Sequence, residues 1–216
     1  MLLPVLPNGF LDYELAVDPL SVRPVAAGIV ATLPGQGFWT MPQALLLFHC
    51  VRALAYVSDP IGLNHYVQEP AATLEVGGGN CEAKSILLCS MLRAVGITSR
   101  MVVLVNGSQG HMLTEFYIGT YDLFGLSRDL SNAGAPAWLR RRYAGVASRQ
   151  FGERDSAGFV WLIADPCYSE FAGDIDALMA ERFLYRNGAG TPWSTPPVYF
   201  SDGSSRSAAS AAGEGW

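Results

Sequence analysis

Apolar positions recur with two different periods along the chain. Between Pro42 and Val57, Leu46, Cys50, Ala53, Leu54 and Val57 stand at helical spacing, and Pro42 suits a first turn. Asp59-Pro60 stops that helix. Residues 59–79 then read as a loop punctuated by Gly, Asn and Pro, ending in Gly77-Gly78-Gly79. The segment that follows is the clearest element. Asn80 is a good N-cap, and Glu82 falls in the first turn, where the helix dipole favours an acid. Leu87, Leu88, Met91, Leu92 and Val95 form one apolar stripe. Arg93 lies in the last turn, and Gly96 is a natural residue just past the end.

Beyond Gly96 the period shortens to that of strands. Met101–Val105, His111–Ile118 and Phe159–Ala164 each read as a strand. Asn106-Gly107 suggests a hairpin between the first two. Residues 120–157 interrupt this series. They hold Arg128, Arg140, Arg141, Arg142, Arg149 and Arg154 and read as an insertion with one short helix near 136–147. Phe171–Tyr185 predicts a closing helix, and residues 1–40, rich in Pro and Gly, predict strands and turns. The resulting organisation is a single domain over 1–186, with a core of 42–119 and 158–186 around the insertion 120–157. Residues 187–216, rich in Gly, Ser and Ala, predict a flexible tail.

Composition narrows the function classes. Half of the 216 residues are apolar and 15% are charged, which is enough to bury a sizeable core. The balance of 14 basic and 19 acidic residues excludes a broad basic face for nucleic acid. The longest apolar stretches, Val25–Leu33 and Ala44–Phe48, fall short of the ~20 residues a membrane span needs. The N-terminus lacks a basic region of the export type, and Asp12 and Glu14 follow at once. The expectation is a cytoplasmic protein without membrane or nucleic-acid partners. Its four cysteines (Cys50, Cys81, Cys89, Cys167) include no CxxC pair, which argues against a disulfide scaffold and a structural zinc site.

Cys81 carries the most chemistry. It follows three glycines and an asparagine and opens the best-defined helix. The positive end of a helix stabilises a thiolate, and glycines let a substrate approach the backbone. The same pattern also suits a capped turn with cysteine as a small apolar filler. A nucleophilic cysteine needs a base, and the base needs an orienting group. His49 sits within an apolar helix and reads as a packed residue; His65 lies in a loop. His111, at a strand start after Gly110, is the best-placed base. Asp165 ends the third strand, on the same face as Trp161 and Ile163. There its carboxylate could take the imidazole Nδ1–H, or it could simply open an Asp-Pro turn. Cys50 and Cys89 read as core residues, and nothing assigns Cys167 a role. Zinc held by Cys81, His111 and Asp165 is the weaker alternative to a triad.

Together these blocks resemble the core of the transglutaminase-like superfamily. Gly78-Gly79-Asn80-Cys81-Glu82 is followed by Leu92-Arg93-Ala94-Val95-Gly96-Ile97 and Arg100. His111-Met-Leu-Thr-Glu115-Phe-Tyr117 is similar to the family's histidine strand, and Trp161-Leu-Ile-Ala-Asp165-Pro166 to its aspartate strand. Val51-Arg-Ala-Leu-Ala-Tyr56 resembles the helix before the cysteine loop. The resemblance spans Val51–Pro166 and implies a papain-like α+β fold, with the cysteine helix packed on an antiparallel sheet. It implies Cys81 as nucleophile, His111 as base and Asp165 as orienter, with no cofactor and no metal. The implied activity is acyl transfer on peptide or protein amide bonds through a thioester. Hydrolysis is favoured; transfer to an amine, or a binding module with an unused site, are the alternatives. The first oxyanion donor would be the Cys81 N–H, and the second Tyr56, Tyr66 or Gln68. The sequence departs from the family pattern at Asn80, at Met112-Leu113 and in the long stretch between the histidine and aspartate strands.

Overall fold

The computed structural model describes residues 3–4, 11–34, 40–59, 67–106, 109–119, 130, 134–144, 152–154, 160–174, 198–200 and 205–206. Its helices are α1 (Pro19–Val30), α2 (Met41–Arg52), α3 (Pro70–Val76), α4 (Cys81–Ala94) and α5 (Ala137–Tyr143). The strands are β1 (Ala55–Tyr56), β2 (Gly78–Gly79), β3 (Ser99–Asn106), β4 (Gln109–Gly119), β5 (Gly152–Arg154), β6 (Val160–Ala164), β7 (Val198–Phe200) and β8 (Ser205–Arg206). The main sheet runs β5-β6-β4-β3-β7-β8 with every pairing antiparallel. A separate parallel pair joins β1 to β2.

Helix α4 is the axis of the fold, and its ends form as their residues dictate. The Asn80 side chain accepts from Ala83 N–H at 2.8 Å, and Gly96 takes the left-handed φ of 85° that suits a residue past a helix end. Residues Ala83–Leu92 are all buried, because α1, α2 and the sheet enclose the helix. One sheet face receives it. Met101, Val103 and Met112 pack with Ile86 and Cys89, and Phe116 with Leu88 and Met91. Ser85 locks the register: its Oγ donates to Met112 O and its carbonyl accepts from Thr114 Oγ1. The β3–β4 hairpin closes with Asn106 opposite Gln109, as the Asn-Gly signal predicts.

Several expectations are corrected. Residues 19–30 are a helix, not strands and turns: Asp18 caps Leu20 and Ser21, Pro19 needs no donor in the first turn, and Val22 and Ala26 are fully buried. Helix α2 stops at Arg52, short of Val57. Its buried face is Ala44, Leu45, Leu47, Phe48 and Val51, while Ala53 and Val57 are exposed. The loop expected over 59–79 contains α3 and β2, because Pro70 opens a turn that Gly77 closes at a φ of 74°. The stretch 120–157 contributes to the core rather than only interrupting it. Leu139 and Tyr143 of α5 are buried there, and β5 adds an edge strand to β6. Residues 171–174 form a turn, not the start of a helix; the remainder of the helix expected to 185 lies outside the described residues. Within 187–216, β7 pairs with β3 and β8 with β7; the rest of that segment is outside the described residues. Among the described residues no helix is long and apolar enough to cross a membrane.

Candidate active site

Cys81 is the first residue of α4, so its N–H belongs to the first turn, which has no intrahelical acceptors. The glycines before it serve packing. A Cβ on Gly78 would stand 2.9 Å from Ala55 O and from Val57 Cγ2, and one on Gly79 would stand 2.7 Å from Ala83 Cβ. Gly78 and Gly79 therefore form a tight seat for β1 against the start of α4. β1 is fastened there by Ala55 N–H to Gly77 O and Val57 N–H to Gly79 O.

His111 lies near the start of β4 and Asp165 one residue beyond β6, in neighbouring strands. Both side chains are almost completely buried, at 1% and 0% exposure. His111 Nε2 meets Asp165 Oδ2 at 2.8 Å, while Asp165 Oδ1 accepts the Cys167 N–H at 2.8 Å. The sequence-based expectation had Nδ1 as the atom facing the carboxylate. The structure reverses it: Asp165 holds Nε2, the ring atom farthest from the backbone, because it approaches from the far end of the ring. Cys81 is also hydrogen-bonded to the imidazole. Burial pulls the His111 pKa down, but the hydrogen bonds and charges of Asp165 and Cys81 outweigh it and leave it raised, at about 9. The sulfur, imidazole and carboxylate that sequence drew from three stretches therefore lie in one chain of contacts.

The site extends to residues to which the sequence assigned no role in the chemistry. Tyr168 places its ring 5.0 Å from that of His111 and covers the imidazole. Only its position three residues after Asp165 could have suggested it. Burial pushes up the Cys167 thiol, and the charges of Asp165 and Cys81 add to this. Glu82 is held by Tyr13; burial pushes its carboxyl up to about 7, against the Tyr13 hydrogen bond and with the charge of Asp59. Asp59 also accepts from Asn80 Nδ2 at 2.7 Å.

The three candidate oxyanion donors separate. Gln68 Nε2 donates one of its two N–H groups to Gly78 O at 3.0 Å. Tyr66 and His65 lie outside the described residues. Tyr56 is exposed, and burial followed by the nearby charges of Cys81, Tyr168 and Cys167 pushes its hydroxyl up to about 12. Its hydroxyl is therefore protonated at neutral pH, and it is near enough to Cys81 to feel that group's charge. His49 is packed among the rings of Phe48, Trp138 and Tyr143 instead. The four cysteines are free thiols, with Cys89 buried and the other three partly so. Among the described residues no group of three or more His, Cys, Asp or Glu side chains is disposed to hold a metal ion.

Residues 43–130 match the family model of the transglutaminase-like superfamily, a span that includes Cys81 and His111 and ends before Asp165. The fold accordingly is the α+β, transglutaminase-like class, with the cysteine helix on an antiparallel sheet. No curated protein matches the chain. Among solved structures, "a Putative Cysteine Protease from Cytophaga hutchinsonii" is similar at 17% identity and a TM-score of 0.38, over 55% of this chain and 43% of that one. Legionella pneumophila LapG in its EGTA-treated form is similar at 16% identity and a TM-score of 0.44, over 74% of this chain and 76% of that one. Its calcium-bound form matches at 22% identity and a TM-score of 0.37, over 50% of this chain and 64% of that one.

Proposed function

We propose, from the premise that residues 43–130 carry a transglutaminase-like core, that this protein is a cysteine-dependent hydrolase of peptide or protein amide bonds. Cys81 is its nucleophile, His111 its acid and base, and Asp165 the group that orients the imidazole. One observation carries this reading: the His111 imidazole meets a buried carboxylate at 2.8 Å and also interacts with the Cys81 thiol at the start of a helix.

The geometry supports a definite sequence of steps. His111, whose raised pKa favours the imidazolium, takes the Cys81 proton as the first step. The thiolate attacks the amide carbonyl, and the developing oxyanion is met by the Cys81 N–H and the Tyr56 hydroxyl. His111 passes its proton to the leaving amine, which departs and leaves a thioester. Water then gives a proton to His111 and adds to the thioester carbonyl; the acid leaves and the thiol is restored. Throughout, Asp165 holds Nε2 and leaves Nδ1 for the sulfur. The free thiols fit a reducing, cytoplasmic setting.

The test compares wild type with Cys81→Ala on amide and thioester model substrates, alongside iodoacetamide labelling. Turnover is expected to vanish in the variant. Cys81 should alkylate far faster than Cys50, Cys89 and Cys167, whose thiols burial pushes up. Equal turnover by both proteins would refute the assignment. Incorporation of an added amine in preference to water would redirect the reading to amine transfer.

A further inference from the structure

Lys84 stands one turn into α4 from Cys81 and is 3% exposed. Lysine is rarely buried to this extent without partners. Its Nζ donates to Arg52 O at 3.2 Å and to Leu54 O at 3.1 Å. These carbonyls belong to the end of α2 and the residues that follow, where a helix leaves unpaired acceptors and the negative end of its dipole. Leu54 directly precedes β1, which is tied to the glycine run before Cys81. Arg52 reaches the other way: its Nε donates to Ser169 O at 2.6 Å, and Ser169 N–H returns to Asp165 O at 3.3 Å. Burial lowers the ammonium's pKa, while the charges of Cys167 and Asp165 oppose that and Arg52 adds to it.

The ammonium thus ties the helix that carries Cys81 to the stretch that carries Tyr56, and the Arg52 guanidinium ties that stretch on to the one that carries Asp165. We propose that Lys84 is a positioning residue, its Nζ holding β1, and with it Tyr56, at a fixed place beside Cys81. This rests on the catalytic reading above. A lysine that only capped α2 would need Arg52 O alone; the second bond, to Leu54 O, lies beyond the helix and fixes the approach to β1.

The test uses Lys84→Met, which keeps the length and removes charge and donors, and Lys84→Arg, which keeps the charge but changes the donor geometry. Turnover of an amide model substrate is normalised to the folded protein that iodoacetamide titrates, and amide hydrogen exchange is followed at Ala55 and Val57. Lys84→Met is expected to lower kcat on the order of 10–100-fold with KM within about twofold, as loss of alignment does. Exchange at Ala55 and Val57 should accelerate, while Leu88–Leu92 of α4 stay protected. Lys84→Arg should show the same changes at smaller size, and it carries the test alone should Lys84→Met not fold. Unchanged exchange in β1, or acceleration spread evenly over α4, overturns the proposal. If the wild type neither turns over nor alkylates quickly at Cys81, the catalytic reading fails instead, and exchange in β1 still decides whether Lys84 holds that strand.

Discussion

His49 and His111 are both largely withdrawn from water, yet their surroundings act in opposite directions. His49 lies on α2 with the rings of Phe48, Trp138 and Tyr143 at 5.0, 5.4 and 5.7 Å, each edge-on. Its Nε2 is buried and meets no hydrogen-bond partner among the described residues. Burial, with Arg142 and Arg52 nearby, lowers its pKa to about 4. His111 is more deeply buried, but a carboxylate and a thiol interact with it and its pKa rises to about 9. Burial alone therefore does not make an imidazole reactive. It neutralises one histidine and, where anionic partners are supplied, fixes the charge of the other.

The largest effect expected from breaking this contrast is at Asp165. Asp165→Ala removes the partner that distinguishes His111 from His49, and turnover should fall by roughly 10²–10⁴-fold, the usual range for a positioned acid–base group. The pH profile gives the sharper readout. In wild type, kcat/KM should decline as pH rises through about 9, where His111 loses the proton it gives to the leaving amine. In Asp165→Ala that limb should move to lower pH, because burial then acts with less opposition. A limb that stays in place would mean that another group sets it.

Tyr56→Phe is expected to be next in size. Loss of one oxyanion donor should lower kcat by roughly 10²-fold with little change in KM. The hydroxyl is exposed, so stability should hardly change. A variant with wild-type kcat would remove Tyr56 from the oxyanion site.

How much of this was legible in the sequence follows the same division between local and distant causes. Helix α4 could be read because its cap and its terminal glycine are encoded at Asn80 and Gly96, and the hairpin because Asn106-Gly107 encodes its turn. The order of Cys81, His111 and Asp165 was also visible, since each stands at the end of a readable element. Helix α1 was not. Pro24 and Gly28 look like breakers and mask the start signal at Asp18-Pro19, and the burial of Val22 and Ala26 against distant elements supports the rest of the segment. The buried face of α2 was misassigned for the same reason. Which imidazole nitrogen faces Asp165 depends on side-chain geometry that no pattern records. Lys84 looked like an ordinary polar position on a helix, because its two acceptors lie some thirty residues earlier.

The smallest expected effect concerns His49 and appears in stability rather than in turnover. Its folded pKa of about 4 lies below the ordinary value of 6.5. As pH falls below 6.5 the unfolded chain takes up a proton that the native imidazole refuses, so the native state loses stability down to about pH 4. Between pH 7 and pH 5 this amounts to about 2 kcal/mol. His49→Leu removes the titrating group while keeping an apolar side chain of similar bulk among the three rings. Its unfolding free energy should be close to wild type at pH 7 and should fall less on going to pH 5, with kcat unchanged at either pH. His111 acts on the opposite side. Its raised pKa contributes stability that is full below pH 6.5 and lost as pH rises through about 9. Urea titrations at pH 5, 7 and 9 on wild type and His49→Leu separate the two. If the variant loses as much stability as wild type between pH 7 and pH 5, the acid limb belongs to other groups, and the aromatic pocket does not govern the His49 imidazole.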